Sequence, residues 1–244
     1  MSTCCFFDRI GRKTIVTGHY GSGKTEFSVS LAMHIAVGSK RPYRENDKSY
    51  DSYALIDLDI VNPYFRSRER RELLQKSGIT VFGSVYKEEV TLELPALGAS
   101  LRAPLEDSSC RVIIDTGGND TGALILNQFT KYFKDEETKV LAVVNANRPD
   151  TSDIKSAIEH ISAIEHSTAL VVTGIVNNMH LLRETTVDDI IRGHEFCDKI
   201  CQATGKPVIC DCYPEDLVNP DELSGLSENL MPLGLYMRPK WLDK

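Results

Sequence analysis

Hydrophobic runs that are typical of strands alternate with helix-like runs along the whole chain. Seven segments have the composition of strands: 14–17, 53–57, 79–82, 111–115, 140–145, 169–176 and 207–212. Apolar residues recur at helical spacings of three and four in two of the intervening segments: Phe27, Leu31 and Ile35, and then Ile154, Ile158, Ile161 and Ile164. This alternation predicts an α/β fold in which helices cover both faces of a mostly parallel sheet of about seven strands.

The length of the chain limits its domain organisation. A chain of 244 residues with 41% hydrophobic content buries a sizeable core, and an α/β protein of this length is normally one domain. We therefore predict a single domain over residues 1–244. Residues 38–52 are charged, contain Pro42 and lack periodicity, which predicts an exposed loop rather than a linker.

The charge and the termini restrict the partners. A net charge of -7 argues against nucleic acid and anionic membranes, because both attract basic surfaces. No stretch approaches the roughly 18 apolar residues of a membrane span, and no export signal precedes the first strand. Seven cysteines without regular spacing indicate free thiols in a reducing compartment. We expect a cytoplasmic protein whose partners are a small molecule or another protein.

Residues 17–27 read TGHYGSGKTEF and contain the pattern Gly18-x-x-x-x-Gly23-Lys24-Thr25. Glycines let the backbone curl so that its N–H groups point at phosphate oxygens, and the following helix adds its positive end. In such P-loops the lysine bridges the β- and γ-phosphates and the hydroxyl ligates Mg²⁺. Because the pattern follows a predicted strand and opens an amphipathic helix, it predicts a nucleotide site. The predicted contacts are Gly18, His19, Tyr20, Gly21, Ser22, Gly23, Lys24, Thr25 and Glu26.

Aspartates close two further predicted strands. Asp57 and Asp59 follow the apolar run of the second strand, and Asp115 ends the run VIID. Ligands bind at the carboxyl ends of the strands in open α/β sheets, so these carboxylates are candidates for the nucleotide site. Gly118 completes Asp-x-x-Gly, whose glycine N–H is able to sense a γ-phosphate. A single aspartate here would more often be a turn or cap residue, but three after a P-loop favour metal and phosphate chemistry.

These motifs resemble the MinD and ParA type of P-loop ATPases, whose relatives include the Mrp-type iron–sulfur carriers and the nitrogenase iron protein. The segment DLDIVNPYF is similar to the aspartate-pair motif of that group, and the resemblance implies Asp57 near the water shell of Mg²⁺ and Asp59 orienting the attacking water. GIVNNMH resembles a segment whose asparagine contacts adenine, which implies Asn178. PVICDCYPEDL resembles the last strand and the loop that packs on the base, which implies Pro214.

Position 19 departs from that group. Its signature has a lysine six residues before Thr25, which neutralises charge at the nucleotide of a partner subunit, whereas this chain has His19. Histidine is not an obligate cation, and its alternative role is that of a loop residue capping a backbone group. Arg66 follows the aspartate pair and is a candidate for the missing charge, whereas Arg70 and Arg71 fit a solvated helix face. The sequence neither predicts nor excludes a homodimer.

The identity of the base is also predictable. Guanine-specific P-loop proteins use an Asn/Thr-Lys-x-Asp motif, and NRPD at 147–150 resembles it but follows the wrong strand. The next strand carries Asn177 and Asn178 without a suitably placed aspartate. Adenine is therefore favoured, because an amide pairs with the amino edge of adenine.

Five residues near the C-terminus suggest a metal cluster at first: His194, Cys197, Cys201, Cys210 and Cys212. The first three lie on one helical stripe with Val187 and Ile190, and the last two alternate on one strand face. No Cys-x-x-Cys pair is present, so core packing is the simpler interpretation, with a metal site as the alternative.

Together these features predict a P-loop protein that binds Mg·ATP and hydrolyses it slowly to drive a conformational change. Lys24 would hold the phosphates, Thr25, Asp57 and Asp115 would serve the metal, and Asp59 would position water. One alternative is a kinase or ATP-dependent ligase for an anionic small molecule, with 62–68 and 93–102 lining its pocket. Another is a nucleotide-gated adaptor that binds ATP, and seldom cleaves it, while holding a protein partner.

Overall fold

The computed structural model describes residues 9–38, 50–59, 67–83, 101–118 and 126–237. In these ranges, eight strands form one sheet in the order β3-β2-β4-β1-β5-β6-β7-β8, and every neighbouring pair is parallel. The strands are β1 (Lys13–Gly18), β2 (Ser52–Asp57), β3 (Ile79–Phe82), β4 (Cys110–Asp115), β5 (Thr138–Val144), β6 (Gly174–Asn177), β7 (Val208–Pro214) and β8 (Leu230–Leu233). Because β1 lies between β4 and β5, the segments that follow those two strands flank the loop after β1.

Helices cover both faces of this sheet. They are α1 (Lys24–Gly38), α2 (Arg71–Lys76), α3 (Ile154–Thr168) and α4 (Val187–Thr204), and residues 101–106 are helical as well. Short 3-10 turns span Ser67–Arg70, Thr130–Tyr132, Pro149–Thr151, Leu182–Glu184 and Pro220–Leu223. None of the helices in the described ranges has the length and apolar composition needed to cross a membrane.

Two hydrophobic cores lie on opposite faces of the sheet. Adjacent residues of β1 point to different cores: Val16 packs with α1 and α2, whereas Ile15 packs with α3 and α4. This alternation is the side-chain period of a strand, and both faces are buried because parallel crossovers place helices on each side. The predicted three-layer α/β sandwich is confirmed.

Helix α1 is more buried than an amphipathic helix would be. Residues 27–32 are all buried, including Ser28 and Ser30. The helix has the sheet on one side and the C-terminal residues 232–237 on another, and it binds the latter through polar side chains: His34 Nε2 lies 3.1 Å from the Pro232 carbonyl oxygen and the Gly234 N–H donates to Ser30 Oγ. The helix is therefore buried on more sides than the predicted apolar face of Phe27, Leu31 and Ile35.

Several strand boundaries differ from the predicted ones. Strand β6 begins at Gly174 rather than at Ala169, because Ala169 has a left-handed backbone (φ 53°) that ends α3. Strand β5 covers Thr138–Val144, and β7 continues to Pro214. Strand β8 was not among the predicted strands. It contains Pro232, which an edge strand tolerates because one side needs no ladder hydrogen bonds.

The predicted loop at 38–52 is shorter in the structure. Gly38 is the last residue of α1 and Ser52 the first of β2, and residues 39–49 lie outside the described ranges. The single domain over 1–244 stays a prediction.

Candidate functional site

The backbone of the loop between β1 and α1 has the curvature that the sequence predicts. Gly21 and Gly23 adopt φ values of 74° and 86°, in the left-handed region that favours glycine. Helix α1 begins at Lys24, so its free N–H groups lie at the end of this loop. A Cβ at Gly23 would lie 2.3 Å from Asn178 Nδ2, so a side chain there would displace the segment after β6.

Three side chains bind carbonyl groups of this loop. Lys24 Nζ donates to the His19 carbonyl oxygen at 2.9 Å, and Asn178 Nδ2 donates to that of Ser22 at 2.7 Å. Arg148 Nε donates to the Gly21 carbonyl oxygen at 2.8 Å. In a phosphate-binding loop the N–H groups face the ligand and the carbonyl groups face the protein, so each of these contacts favours that arrangement.

Three aspartates lie at the carboxyl ends of β2 and β4. Asp57 and Asp115 occupy paired register positions on these adjacent strands, and the Asp59 N–H donates to Asp57 Oδ1 at 3.1 Å. All three side chains are buried, Asp115 completely. The sequence predicted their proximity to one another and to the P-loop, and the structure brings them together with Lys24.

Burial and mutual repulsion change the protonation of this cluster. Burial, together with the neighbouring Asp57 charge, raises the pKa of Asp115 to about 8, against smaller opposing effects of Lys24 and the Thr25 hydroxyl. Burial lowers the pKa of Lys24, although the charges of Asp115 and Asp59 oppose that shift. Burial and the repulsion between the carboxylates thus outweigh the attraction of Lys24 at Asp115, and a bound cation would relieve that repulsion.

The residues present fit a magnesium ion held partly by a nucleotide. Asp115 Oδ2 is buried without a hydrogen-bond partner among the described residues, while Oδ1 accepts a weak hydrogen bond from Ser28 Oγ at 3.4 Å. In the same part of the chain no group of three or more histidines, cysteines or acidic residues could hold a metal ion by itself. Mg²⁺ commonly uses one or two carboxylates, water and substrate phosphates, so the site matches it better than an all-protein cage would.

A cavity of about 480 Å³ opens beside the P-loop. One end is polar and includes Lys24, Thr25, Asp59 and Arg148. The other end is apolar, and its side chains come from the last residues of β7 and β8 and from the segments after β6 and β8: Met179, Leu182, Pro214, Leu233, Leu235 and Met237. Small-molecule sites of this size combine apolar walls with a few convergent polar groups, as this cavity does.

The apolar end is connected to the P-loop helix through Glu26. The Glu26 carboxylate accepts hydrogen bonds from the backbone N–H groups of Tyr236 and Met237, at 2.6 and 2.9 Å. Burial raises the pKa of Glu26, and these two hydrogen bonds oppose the shift. Residue Glu26 therefore holds the C-terminal wall of the cavity from a position directly after Thr25.

Most of the predicted site residues line this cavity, and the others lie behind it. The lining includes His19, Tyr20, Gly21, Gly23, Lys24, Thr25, Glu26, Asp59, Asn178 and Pro214. Gly18, Ser22, Asp57, Asp115 and Gly118 do not line it. Gly118 nevertheless touches the P-loop, because a Cβ on it would lie 2.8 Å from both Lys24 Nζ and Tyr20 N.

His19 is engaged within the protein. Its Nδ1 lies 2.8 Å from the Tyr20 carbonyl oxygen, and its ring meets the His160 ring edge-on with 5.1 Å between the centroids. Arg66 lies outside the described residues, as do most of 62–68 and 93–102. Arg70 is partly buried and its charge acts on Glu26, so the prediction of a solvated face for Arg70 is wrong.

Sequence reasoning missed several residues of the cavity, above all Arg148 and His180. Arg148 belongs to the NRPD segment, which the sequence excluded as a base-reading motif without assigning it another role. The available signal was an arginine just after a buried strand, at the edge of the sheet where the P-loop lies. His180 has its pKa lowered to about 4 by burial and by the charge of Arg148, so it is neutral at pH 7.

The cysteines near the C-terminus pack in the protein interior. Cys197, Cys210 and Cys212 are buried, and Cys201 is partly exposed. Burial raises the pKa of the Cys197 and Cys210 thiols, which keeps them protonated. His194 binds Asp211 through Nδ1 at 3.0 Å. The interpretation as core residues therefore accounts for their positions.

Comparison of the sequence with models of known protein families and with curated proteins gives no match. Among solved structures, the chain is similar to the signal recognition particle 54 kDa protein from Aeropyrum pernix in complex with GDP, with a TM-score of 0.50 and 17% identity over 81% of this chain and 40% of that one. It is also similar to the cell division protein FtsY from Thermotoga maritima, with a TM-score of 0.50 and 20% identity over 80% of this chain and 59% of that one. The match spans about half the length of these proteins.

This likeness shows that the chain has the P-loop NTPase fold. A nucleotide-binding protein from Archaeoglobus fulgidus in complex with ADP matches 97% of this chain and 93% of its own at 15% identity, but its TM-score of 0.46 is too low to support an inference. The finer resemblance to the MinD and ParA group stays a prediction.

Proposed function

We propose that this chain binds Mg·ATP in the cavity and hydrolyses it slowly, and that the nucleotide state changes its conformation. The observation that carries the proposal is the contact between a glycine-curved loop and a buried cluster of Lys24 with Asp57, Asp59 and Asp115. Burying so many charged groups is costly unless a ligand or partner compensates them. In a metal-bound triphosphate, the metal ion would compensate the carboxylates and the phosphate oxygens would compensate Lys24.

Each residue then has a distinct role in the proposed reaction. Lys24 would leave the His19 carbonyl group and bind the β- and γ-phosphates. Mg²⁺, held by Thr25 and Asp115 with Asp57 near its water shell, would supply charge neutralisation at the phosphates. Asp59 lines the cavity, unlike the other two aspartates, which supports its role in orienting the attacking water.

The proposed conformational change rests on the position of Gly118. This residue lies directly against Lys24 and the backbone of Tyr20, so a γ-phosphate beside Lys24 would meet the segment 116–118. The glycine N–H is then a direct sensor of that phosphate, and its movement would carry the signal to the residues that follow β4.

Adenine is the proposed base. Asn178 Nδ2 donates a hydrogen bond to the Ser22 carbonyl oxygen, and no described residue donates to Asn178 Oδ1. Because Asn178 lines the cavity, this oxygen is left to accept a hydrogen bond from the base. An amide oxygen accepts from the exocyclic amino group of adenine. The apolar wall formed by Met179, Pro214 and Leu235 suits the face of a purine ring.

The test is a titration of the purified chain with ATP in the presence of Mg²⁺, together with a phosphate-release assay. Lys24→Ala should abolish measurable binding and keep the circular dichroism spectrum, because Lys24 supplies charge to phosphate rather than packing. Lys155→Ala is the matched control, since that side chain is 85% exposed on α3. Equal ATP affinity in wild type and Lys24→Ala would contradict the P-loop assignment, and equal or tighter GTP binding would contradict the choice of base.

A further inference from the structure

Arg148 lies in an unusual position beside the P-loop. It follows β5, caps the 3-10 turn Pro149–Thr151 with an extended backbone, and sends its side chain back to the loop after β1. Its Nε donates to the Gly21 carbonyl oxygen at 2.8 Å across 127 residues of sequence. The contact is thus a product of the β1–β5 pairing rather than of local structure.

The guanidinium packs directly on the glycine. A Cβ at Gly21 would lie 3.2 Å from Arg148 Nε, which is closer than most Cβ contacts, and 3.4 Å from Cζ, at the limit of ordinary van der Waals contact. Gly21 therefore satisfies two requirements, a left-handed backbone and the close approach of a cation. The charge of Arg148 lies next to the backbone that would surround the phosphates.

Most of the donors of Arg148 are left for a ligand. An arginine offers five N–H groups in a rigid fork, and among the described residues only Nε of Arg148 has an acceptor. The side chain is half-buried and lines the cavity together with Lys24. A fork of this kind is able to hold a carbonyl group through Nε and an anionic oxygen through its terminal nitrogens.

The cavity also has few other cations. Within the described part of the chain, Lys24 and Arg148 are the lysines and arginines that line it, and Lys24 lies beside three carboxylates. His180 lines the cavity as well, but its lowered pKa leaves it neutral at pH 7. Position 19 holds a histidine rather than a permanent cation.

We propose that Arg148 is a second phosphate-binding cation of this site, which holds Gly21 through Nε and a phosphate oxygen of the nucleotide through its Nη groups. The proposal rests on the proposed function, because it assigns a role toward the same nucleotide. It means that the positive charge absent at His19 comes from the same chain, so the charge needs no partner subunit. The competing explanation is that Arg148 only braces the loop.

Three substitutions distinguish a role of Arg148 in binding phosphate from a role in holding the P-loop alone: Arg148→Lys, Arg148→Gln and Arg148→Ala. Lysine keeps the charge and a donor, whereas glutamine keeps a neutral donor only. If Arg148 binds phosphate, Arg148→Gln and Arg148→Ala should weaken ATP binding about tenfold to a hundredfold, the range for a hydrogen bond between charged groups. Arg148→Lys should lose less affinity than Arg148→Gln, because lysine keeps the charge but has no fork that binds Gly21 and a phosphate oxygen together. Adenosine binding should not change in any variant.

Arg9→Gln is the control, since Arg9 is exposed and does not line the cavity. Denaturant unfolding without nucleotide provides the structural readout. If Arg148→Lys lost as much ATP affinity as Arg148→Gln, or if Arg148→Gln bound ATP as tightly as wild type, the charge role would be excluded. Failure of the wild-type chain to bind ATP would instead contradict the proposed function and this inference with it.

Discussion

Asp115 and Asp57 lie side by side at the carboxyl ends of adjacent parallel strands, in exact register and both buried. Two neighbouring carboxylates do not both ionise readily in a buried site, and here burial and the Asp57 charge raise the pKa of Asp115 to about 8. In the proposed function, Asp115 would exchange this proton for a metal ion when Mg·ATP binds beside Lys24.

The first prediction concerns stability and pH. The folded, nucleotide-free chain keeps the Asp115 proton up to about pH 8, whereas the unfolded carboxyl group loses it near the ordinary value of 3.8. Between these values the native state binds more protons, so the Asp115 contribution to stability is complete below pH 3.8 and is lost as pH rises through 8. Asp115→Asn should remove this part of the slope.

The measurement is urea unfolding of wild type and Asp115→Asn at a series of pH values. The difference between the two proteins isolates Asp115 from Glu26, whose raised pKa contributes in the same direction. Wild type should lose free energy of unfolding relative to Asp115→Asn as pH rises from 5 to 8. Parallel pH profiles would show that Asp115 ionises normally in the folded state.

The second prediction separates the roles of Asp59 and Asp57. Asp59 lines the cavity and Asp57 lies behind it, with Asp57 Oδ1 accepting from the Asp59 N–H. Asp59→Asn should leave Mg·ATP binding nearly intact but slow γ-phosphate cleavage by about two to four orders of magnitude. Asp57→Asn should instead raise the Mg²⁺ concentration needed for half-maximal activity. The reversed pattern in a magnesium titration of both variants would overturn this assignment.

The sequence predicts the part of the site that consists of local motifs, namely the P-loop and the aspartates at strand ends. The P-loop and the three aspartates each lie within a short run at a strand end, where hydrophobic residues give way to glycine or charge, so their order along the chain reveals them. Arg148 and the segment at 235–237 join the site across 127 and 211 residues of sequence. No spacing rule relates such residues, and only the strand order makes them neighbours.

The errors in the fold have a similar physical origin. Strand β8 contains Pro232, and local rules disfavour proline within a strand. Those rules do not show that β8 forms the edge of the sheet, where proline is tolerated. The apolar residues before Gly174 have the composition of a strand. In the structure, however, Ala169 ends α3 with a left-handed backbone, and the residues between it and Gly174 connect α3 to β6. Local propensity cannot distinguish these cases, since tertiary position decides them.

The third prediction uses two glycines with different surroundings. A Cβ at Gly118 would lie 2.8 Å from the Tyr20 backbone nitrogen and 3.1 Å from the His19 carbonyl carbon, and backbone atoms cannot move as easily as a side-chain end. Gly118→Ala should therefore lower the free energy of unfolding by about 1–3 kcal/mol and weaken ATP binding.

Gly225→Ala is the control for this prediction, because nothing lies within 4 Å of its Cβ position. Both variants add one methyl group, so any difference reports on the space at the P-loop. Denaturant unfolding and an ATP titration measure the two effects. A Gly118→Ala variant with the stability and affinity of Gly225→Ala would show that the segment at 116–118 does not pack on the P-loop.

The last prediction concerns Glu26, which links the phosphate end of the cavity to the apolar end. Its carboxylate accepts the backbone N–H groups of Tyr236 and Met237, while the neighbouring Leu235 and Met237 line the wall proposed for the base. Glu26→Gln places an amide donor against one of these N–H groups, which leaves a buried donor unpaired. The wall should loosen, and ATP affinity should fall about threefold to thirtyfold.

Inorganic tripolyphosphate is the probe that tests this explanation, because it has the phosphates of ATP and lacks the base. Glu26→Gln should bind tripolyphosphate as wild type does while losing affinity for ATP. Ser30→Ala is the matched variant one turn along α1, where the Gly234 N–H loses a single acceptor, and it should show a smaller loss. Equal losses for ATP and tripolyphosphate would mean that Glu26 acts on the P-loop itself, since a base wall contributes nothing to a ligand without a base.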